Sequence, residues 1–479
     1  MESLMPSWIL RNKGCIRQVL VCCSVSLLTF VVGMQIVWPS LAIERIANGD
    51  AGFKMTREQL SMVVSASSLT ICLVPIFLGP LSKKFGRKTN LCLNAFIFCV
   101  VWGLITFARS PWYLVLANVV SGFGSAILII IGPIYIGEIA DKRIRGALIS
   151  MYITAMAIGE VFSTGVGIFI PYFQLNLIAL VLSVAAFFLI TILATESPAY
   201  HLMINDEAKA QKSFRYYWNY KKTTEEEDKK EVQAALAELK ESVELEMKSS
   251  SSYLELFRTP GNFKASIIVI GLSIFQATSG VVAMLVYAST TLPKYDGFFQ
   301  PNPTMAAVNF LDLFFNIVST VLVDKIGRKP LTIISNAGGA LGTGIMALYF
   351  FIEERTSLDT TDIKWIPYVG ILIFISAYGS AMATMPHLLV GELFPVNVRY
   401  HASMLSGLFI AFTFFIINYS YLWVCQYLGV FVMYSFFTVC SIIATVFSYV
   451  YMFETKNLSL AEIQEKVGEK ERVPNVESK

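Results

Sequence analysis

The most informative deficit in this 479-residue sequence is charge, because only 15% of its residues are Asp, Glu, Lys or Arg. Ordinary soluble domains carry about 25%. Hydrophobic residues make up 55% of the chain and gather into long runs that are apolar on every side. A soluble core would instead need amphipathic elements. The deficit therefore excludes an ordinary soluble protein and favours a membrane protein built from spanning helices.

Residues with catalytic or metal-binding chemistry are also scarce. The three histidines have no metal-ligand spacing, and no nucleophile motif occurs. The eight cysteines include no CxxC pair and lie almost entirely within apolar runs, which is typical of small buried side chains. The net charge of +3 gives no indication of nucleic-acid binding. We therefore predict a protein that is not an enzyme, with no cofactor, metal or nucleic-acid partner.

Twelve apolar segments reach the length of about 20 residues that a spanning helix needs. The predicted spans are residues 18–43, 60–81, 89–109, 112–136, 147–170, 172–194, 265–290, 304–325, 330–352, 366–389, 402–425 and 428–453. The prediction is an all-α membrane protein with two pseudo-symmetric six-helix bundles in the lipid bilayer. Its predicted parts are an N-terminal bundle (1–202), a cytoplasmic helical linker (203–263), a C-terminal bundle (264–455) and a cytoplasmic tail (456–479).

The distribution of basic residues predicts the orientation of the chain. Lys and Arg gather in the turns at 82–88, 138–146 and 324–329, whereas the turns at 110–111 and 171–176 contain neither. The positive-inside rule then places both termini and the linker in the cytoplasm. Within the linker, apolar residues at helical spacing between Glu225 and Met247 predict an amphipathic helix.

Three sequence motifs recur in the same order in the two halves of the chain. A Gly-Arg-Lys turn follows the second and eighth spans, a Glu and an Arg seven residues apart follow the fourth and tenth, and another Glu follows the sixth and twelfth. The residues are Gly86, Arg87, Glu138, Arg145 and Glu196 in the first half, and Asp324, Gly327, Arg328, Glu392, Arg399 and Glu454 in the second. Tandem halves of this kind place a substrate site at mid-membrane, between the halves.

The repeated residues form a predicted set for conformational gating. Glycine in a short turn lets helix ends approach closely and supplies a positive φ. The arginines have carboxylates nearby in sequence order and could bridge helices while the cytoplasmic side is closed, separating when it opens. The alternative is that the basic residues only set the topology.

These motifs resemble the sugar porters of the major facilitator superfamily, above all facilitative hexose transporters and insect trehalose transporters. The stretch Gly79 to Lys88 matches the family's G-x-x-x-D-R-x-G-R-R loop, with Lys83 where an acid or Asn is usual. The stretches 195–198 and 453–457 match the family's P-E-S-P and P-E-T-K-G motifs. The resemblance covers nearly the whole chain and implies a sugar or similar small polar solute as the substrate.

The same resemblance implies where the solute binds. Gln276 and Thr278 lie in a match to the family's Q-Q-L-S-G-I-N stretch, which ends near Tyr287. Asp312 stands where relatives carry a sugar-contacting amide, and His387 replaces the pocket Trp. The alternatives are an interhelical hydrogen bond for Gln276 and simple packing at a helix break for His387.

Two departures from the family leave the substrate and the mechanism open. Several expected polar contacts are missing, because Ile153, Ala277 and Val282 replace amides. Glu160 and Asp312 are intramembrane carboxylates, which usually face a cavity or a partner and are candidate solute or proton sites.

The predicted function is facilitated diffusion by alternating access in the plasma membrane. Proton-coupled sugar porters resemble one another in an Asp of the first span and an Arg of the fourth. Here the first span has no acid, and Asn118 takes the place of the Arg. The alternatives are a proton-coupled symporter and a non-transporting sugar sensor, although the long signalling tail of a sensor is missing.

Overall fold

The structure is a computed structural model. It describes residues 7–47, 49, 52–141, 143–218, 233–234, 236–237, 239–241, 254–293, 301–456, 458 and 462–463. Within these residues the regular structure is helical throughout. The α-helices are α1 (Ser7–Ala47), α2 (Arg57–Phe85), α3 (Arg87–Thr106), α4 (Pro111–Ile139), α5 (Arg145–Gly167), α6 (Tyr172–Leu193), α7 (Pro198–Met203), α8 (Glu207–Trp218), α9 (Glu255–Arg258), α10 (Pro260–Thr278), α11 (Val281–Thr291), α12 (Pro301–Ile326), α13 (Arg328–Arg355), α14 (Ile366–Ser380), α15 (Met385–Leu393), α16 (Val396–Tyr427) and α17 (Val430–Tyr451).

The helices confirm the predicted all-α membrane fold. Among the described residues, eleven helical segments are long and apolar enough to cross a membrane. The remaining predicted span, 60–81, lies inside the 29-residue helix α2. A membrane interior offers the main chain no water to bond, so spanning segments satisfy their amides internally as helices.

Two predicted spans, 265–290 and 366–389, lie within spanning segments that are each divided into two helices. The first is divided into α10 and α11 at Gly280, whose φ is +87°. Glycine is the residue that adopts this left-handed conformation at low cost, and a Cβ here would lie 2.5 Å from the ring of Phe437. The second is divided into α14 and α15, with Pro386 in the first turn of α15. Proline there loses no main-chain hydrogen bond.

The chain divides into two compact units. One comprises residues 1–38, 45–54 and 73–249, and the other comprises residues 39–44, 55–72 and 250–479. The predicted domain boundaries near residues 202, 263 and 455 stay a prediction.

Glycine pairs bring helices together within each unit. In the first unit, a Cβ on Gly33 of α1 would strike the carbonyl of Met156, and a Cβ on Gly159 of α5 would strike that of Phe30. In the second unit, a Cβ on Gly342 of α13 would lie 2.7 Å from the carbonyl oxygen of Gly370 in α14. Small residues at these crossings allow main chains to pack closely, which replaces the hydrophobic driving force that is missing between helices in lipid.

Part of the predicted linker belongs to the first unit, where α8 packs against α1 and α4. Tyr217 of α8 is fully buried, and its hydroxyl lies 2.7 Å from that of Tyr135 in α4. Gln18 of α1 donates to the carbonyl of Tyr217 at 3.1 Å, at the carboxyl end of α8. In the predicted linker helix 225–247, the described residues 233–234, 236–237 and 239–241 are helical, and the other residues lie outside the described part.

Candidate functional site

The Glu196 carboxylate caps the amino end of α3. Its Oε1 accepts hydrogen bonds from the main-chain N–H groups of Arg87, at 2.7 Å, and Lys88, at 3.0 Å. These N–H groups have no partner within the helix, and the positive end of the helix dipole favours a negative charge there. Gly86 precedes them with φ +79°, and a Cβ at this residue would collide with the Glu196 carboxylate. Glycine is therefore required for both conformation and space.

The Arg87 side chain joins this cap to α4. Its Nε and Nη2 donate to Oε1 of Glu138 at 3.2 and 3.1 Å, and its guanidinium lies 5.4 Å from the ring centroid of Tyr200. The Ser197 hydroxyl donates to the other Glu138 oxygen. Gly86, Arg87, Glu138, Glu196 and Ser197 form what we call the first motif cluster, which holds α3, α4 and the segment after α6 together.

The second unit repeats the helix cap. Glu454 accepts from the main-chain N–H groups of Arg328, at 3.0 Å, and Lys329, at 3.1 Å. Gly327 precedes them with φ +106°, and a Cβ on it would lie 2.6 Å from Oε2 of Glu454. This cap has the same chemistry as that of Glu196.

The second unit also repeats the ion pair, which is partly buried here. Nε and Nη2 of Arg328 lie 3.0 and 2.9 Å from Oε1 of Glu392. The Thr455 hydroxyl donates to Oε2 of Glu392 at 2.6 Å, as Ser197 does to Glu138. A further ion pair joins Nη1 of Arg328 to Asp324 at 3.1 Å. Together with Gly327 and Glu454, these residues form the second motif cluster.

The clusters include most of the residues predicted for gating. They also contain two residues that were not predicted, and they leave out two that were. Sequence reasoning missed Ser197 and Thr455, although a hydroxyl residue follows the repeated Glu in both halves. Arg145 and Arg399 form no ion pair within the described part of the chain. Each donates instead to the main-chain carbonyl five residues earlier, at 3.3 and 3.2 Å. These bonds stabilise the turns that lead into α5 and α16.

Gln276 connects α10 to the break between α14 and α15. Its amide nitrogen donates to the carbonyl of Ala383 at 3.0 Å and to the hydroxyl of Tyr378 at 3.3 Å. Its side-chain oxygen is buried and has no hydrogen-bond partner among the described residues. In this conformation the residue makes the interhelical hydrogen bond considered as the alternative, and one acceptor stays unused.

The other predicted solute contacts of the second unit lie on separate helices. His387, in the first turn of α15, is exposed. Asp312 of α12 has its Oδ1 buried without a hydrogen-bond partner in the described chain, and a Cβ on Gly379 would lie 3.2 Å from that oxygen. Tyr287 is fully buried and stacks on Tyr421, with ring centroids 4.8 Å apart.

Thr278 and Glu160, which were also predicted to contact the solute, lie in different units. Thr278 bonds to the carbonyl of Phe275 at 3.5 Å, within its own helix. Glu160 is buried in α5 of the first unit, at 8% exposure.

A neutral amide pair lies in the interior of the first unit. Gln35 of α1 donates to the Oδ1 of Asn118 in α4 at 3.1 Å, and both side chains are at least 95% buried. The sequence identified Asn118 but missed Gln35. The available signal was that Gln35 is an amide within an apolar run.

Spanning helices with motif clusters repeated in two halves are the architecture of the major facilitator fold. The structure is similar to the inward-open xylose transporter XylE of E. coli, with a TM-score of 0.75 and 18% identity, over 93% of this chain and 99% of that chain. The model of the family described as "Sugar (and other) transporter" matches residues 15–467. The chain therefore belongs to this family, as the motifs predicted.

The curated relatives are transporters. A facilitated trehalose transporter Tret1 from Polypedilum vanderplanki is 26% identical over 451 residues, covering 94% of this chain and 88% of the relative. The sugar transporter ERD6-like 7 from Arabidopsis thaliana is 26% identical over 419 residues, covering 85% and 87%.

Proposed function

We propose that this protein is a uniporter that moves a sugar, of the trehalose or hexose class, or a similar small polar solute down its gradient. The observation that carries the choice of uniport is the hydrogen bond between Gln35 and Asn118. Proton-coupled sugar porters resemble one another in an acid and an arginine in the first and fourth spans. An amide pair there neither binds nor releases a proton at physiological pH.

The solute is proposed to bind among Gln276, Thr278, Tyr287, Asp312 and His387 of the second unit. Glu160 of the first unit stays a candidate solute or proton site. A sugar hydroxyl can both donate and accept, so it suits the unused oxygen of Gln276. Release of the Gln276 amide from Ala383 would free one donor hydrogen for the solute while altering the α14–α15 break. This exchange couples binding to helix movement, because the same side chain serves both.

The motif clusters are proposed to keep the ends of their helices together while the transporter alternates between its states. Each cluster contains a partly buried ion pair between an arginine and a glutamate, and a second glutamate accepts hydrogen bonds from the first N–H groups of a helix. Breaking one would leave a charge without its partner, which is strongly unfavourable.

We further propose that both termini and the linker face the cytoplasm of a plasma-membrane protein, on the basis of the basic turns. Transport requires no chemistry on the solute, so we propose no enzymatic activity. We also propose no nucleic-acid partner. Protease accessibility in sealed right-side-out vesicles tests the orientation, because only permeabilised vesicles should then lose the linker.

The test of function is uptake by the purified protein in proteoliposomes. Labelled trehalose, glucose, xylose and a polyol are offered singly, with empty liposomes as the control. We expect saturable uptake of at least one sugar and no loss of uptake with a protonophore. Uptake of none of these solutes, by a protein that is correctly folded, would contradict the proposed substrate class.

Proton-coupled symport is the second candidate, and the buried, unpartnered oxygen of Asp312 favours it. An intramembrane carboxylate is costly when charged and can serve as a proton site. The variant Asp312→Asn should then retain exchange of solute but lose its response to a proton gradient. In the uniporter, wild type and variant respond alike to that gradient.

A further inference from the structure

The two motif clusters differ at the residue four positions before the repeated arginine. In the second cluster this residue is Asp324, whose Oδ1 lies 3.1 Å from Nη1 of Arg328. In the first half the same position is Lys83, so that the sign of the charge is reversed. Both clusters therefore have a glutamate that caps a helix and an Arg–Glu ion pair. Only the second cluster has the additional ion pair between Asp324 and Arg328.

The reversal leaves one nitrogen of Arg87 without a partner. The side chain is 9% exposed, and its Nε and Nη2 bond to Glu138. Its Nη1 is buried and has no hydrogen-bond partner among the residues that the structure describes. The charge of Arg87 is paired with Glu138, but buried N–H groups are normally hydrogen-bonded as well, and Nη1 lacks an acceptor within the described chain.

The surrounding sequence reinforces the shortage of negative charge. The segment 82–88 contains four basic residues and no acid, whereas 323–329 contains three basic residues and Asp324. In the second cluster the Asp324 side chain is 74% exposed and that of Arg328 is 14% exposed. The acid therefore reaches the guanidinium from the solvent side of the turn, which is a position that an external anion can also occupy.

We propose that the first motif cluster binds a phosphate group beside Arg87, at the place that the Asp324 carboxylate takes in the second cluster. A phosphate offers several charged acceptor oxygens, which match the guanidinium and the ammonium groups of a basic turn. It could come from a lipid headgroup, since basic residues where helices leave the bilayer attract anionic lipids, or from a free phosphate compound. The proposal does not depend on which solute the protein transports.

Thermal unfolding of the full chain in an uncharged detergent tests the proposal. Inorganic phosphate and phosphatidic acid are titrated separately, with sodium chloride at matched ionic strength as the control. Lys83→Asp supplies the missing carboxylate to Arg87, and Asp324→Lys is the matched variant that removes it from Arg328. If Lys83→Asp does not fold, Lys83→Asn is used instead, because it removes the lysine charge and supplies a neutral acceptor oxygen.

Phosphate or phosphatidic acid should raise the thermal unfolding midpoint of wild type more than sodium chloride does. Lys83→Asp should need at least about tenfold more of the same ligand for half of that rise. Asp324→Lys should show a larger rise in unfolding midpoint than wild type, because it opens a second site beside Arg328. A rise with phosphatidic acid alone identifies a lipid headgroup, and a rise with inorganic phosphate identifies a free phosphate compound. No rise in wild type beyond chloride, or an equal rise in wild type and the Lys83 variant, overturns the proposal.

Discussion

A Cβ atom on Gly327 would lie 2.6 Å from Oε2 of Glu454, the carboxylate that caps the helix beginning at Arg328. The same relationship links Gly86 to Glu196 in the first unit. Each glycine combines a positive φ with a lack of room for a side chain. The repeated glycine in the two halves therefore protects a contact between helix ends, in addition to making a turn.

The first prediction concerns this contact. Gly327→Ala should lower the free energy of unfolding by about 1–3 kcal/mol, because a left-handed conformation becomes strained and the cap is displaced. The measurement is thermal unfolding in detergent. Gly407→Ala is the matched control, because a Cβ there meets nothing within 4 Å. Equal stability of the two variants would show that the Gly327 contact has no energetic role.

The second prediction concerns the partly buried ion pair of the second cluster. Arg328→Ala should lower the maximal uptake rate at least about tenfold at equal surface expression, because Glu392 loses its partner while the helix cap loses support. Arg328→Lys is the control, since it keeps the charge but not the two parallel contacts. The maximal uptake rate of Arg328→Lys should lie between those of wild type and Arg328→Ala. Normal turnover in Arg328→Ala would remove this pair from the transport cycle.

The third prediction concerns Gln276. Gln276→Ala should raise the KM for solute about fivefold, equivalent to the loss of roughly 1 kcal/mol of hydrogen bonding in a membrane interior. Tyr378→Phe removes one partner of Gln276 and leaves the proposed solute contact in place. Its KM should stay close to wild type. An unchanged KM in Gln276→Ala would assign the residue to interhelical packing alone.

The fourth prediction uses the neutral pair of the first unit. The double variant Gln35→Asp/Asn118→Arg places an acid opposite a base, and its uptake should become dependent on pH. Gln35→Asp alone buries an unpaired carboxylate and should be less stable than the double variant. The measurement is initial uptake across a pH series. A double variant whose uptake stays as insensitive to pH as wild type would weaken the role given to this pair.

The sequence predicted the helices and motif clusters well, for physical reasons that act locally. Apolar length alone identifies a spanning segment, and motif repetition indicates that Arg87 and Arg328 occupy equivalent places. The break near Gly280 was missed because hydropathy does not report the direction of the main chain, and the break near Met385 was considered only as an alternative for His387. Partners such as Gln35 for Asn118 depend on which faces of two distant helices meet, and spacing within one segment does not contain that information.

The most direct test of the account is the steady-state distribution of a transported sugar in proteoliposomes under an imposed pH gradient. Uniport with the neutral Gln35–Asn118 pair predicts that the internal sugar concentration rises to the external one and stays there, whichever side is acidic. Accumulation above the external concentration when protons flow inward would contradict it, and would make proton coupling, with Asp312 as the first candidate site, the better explanation.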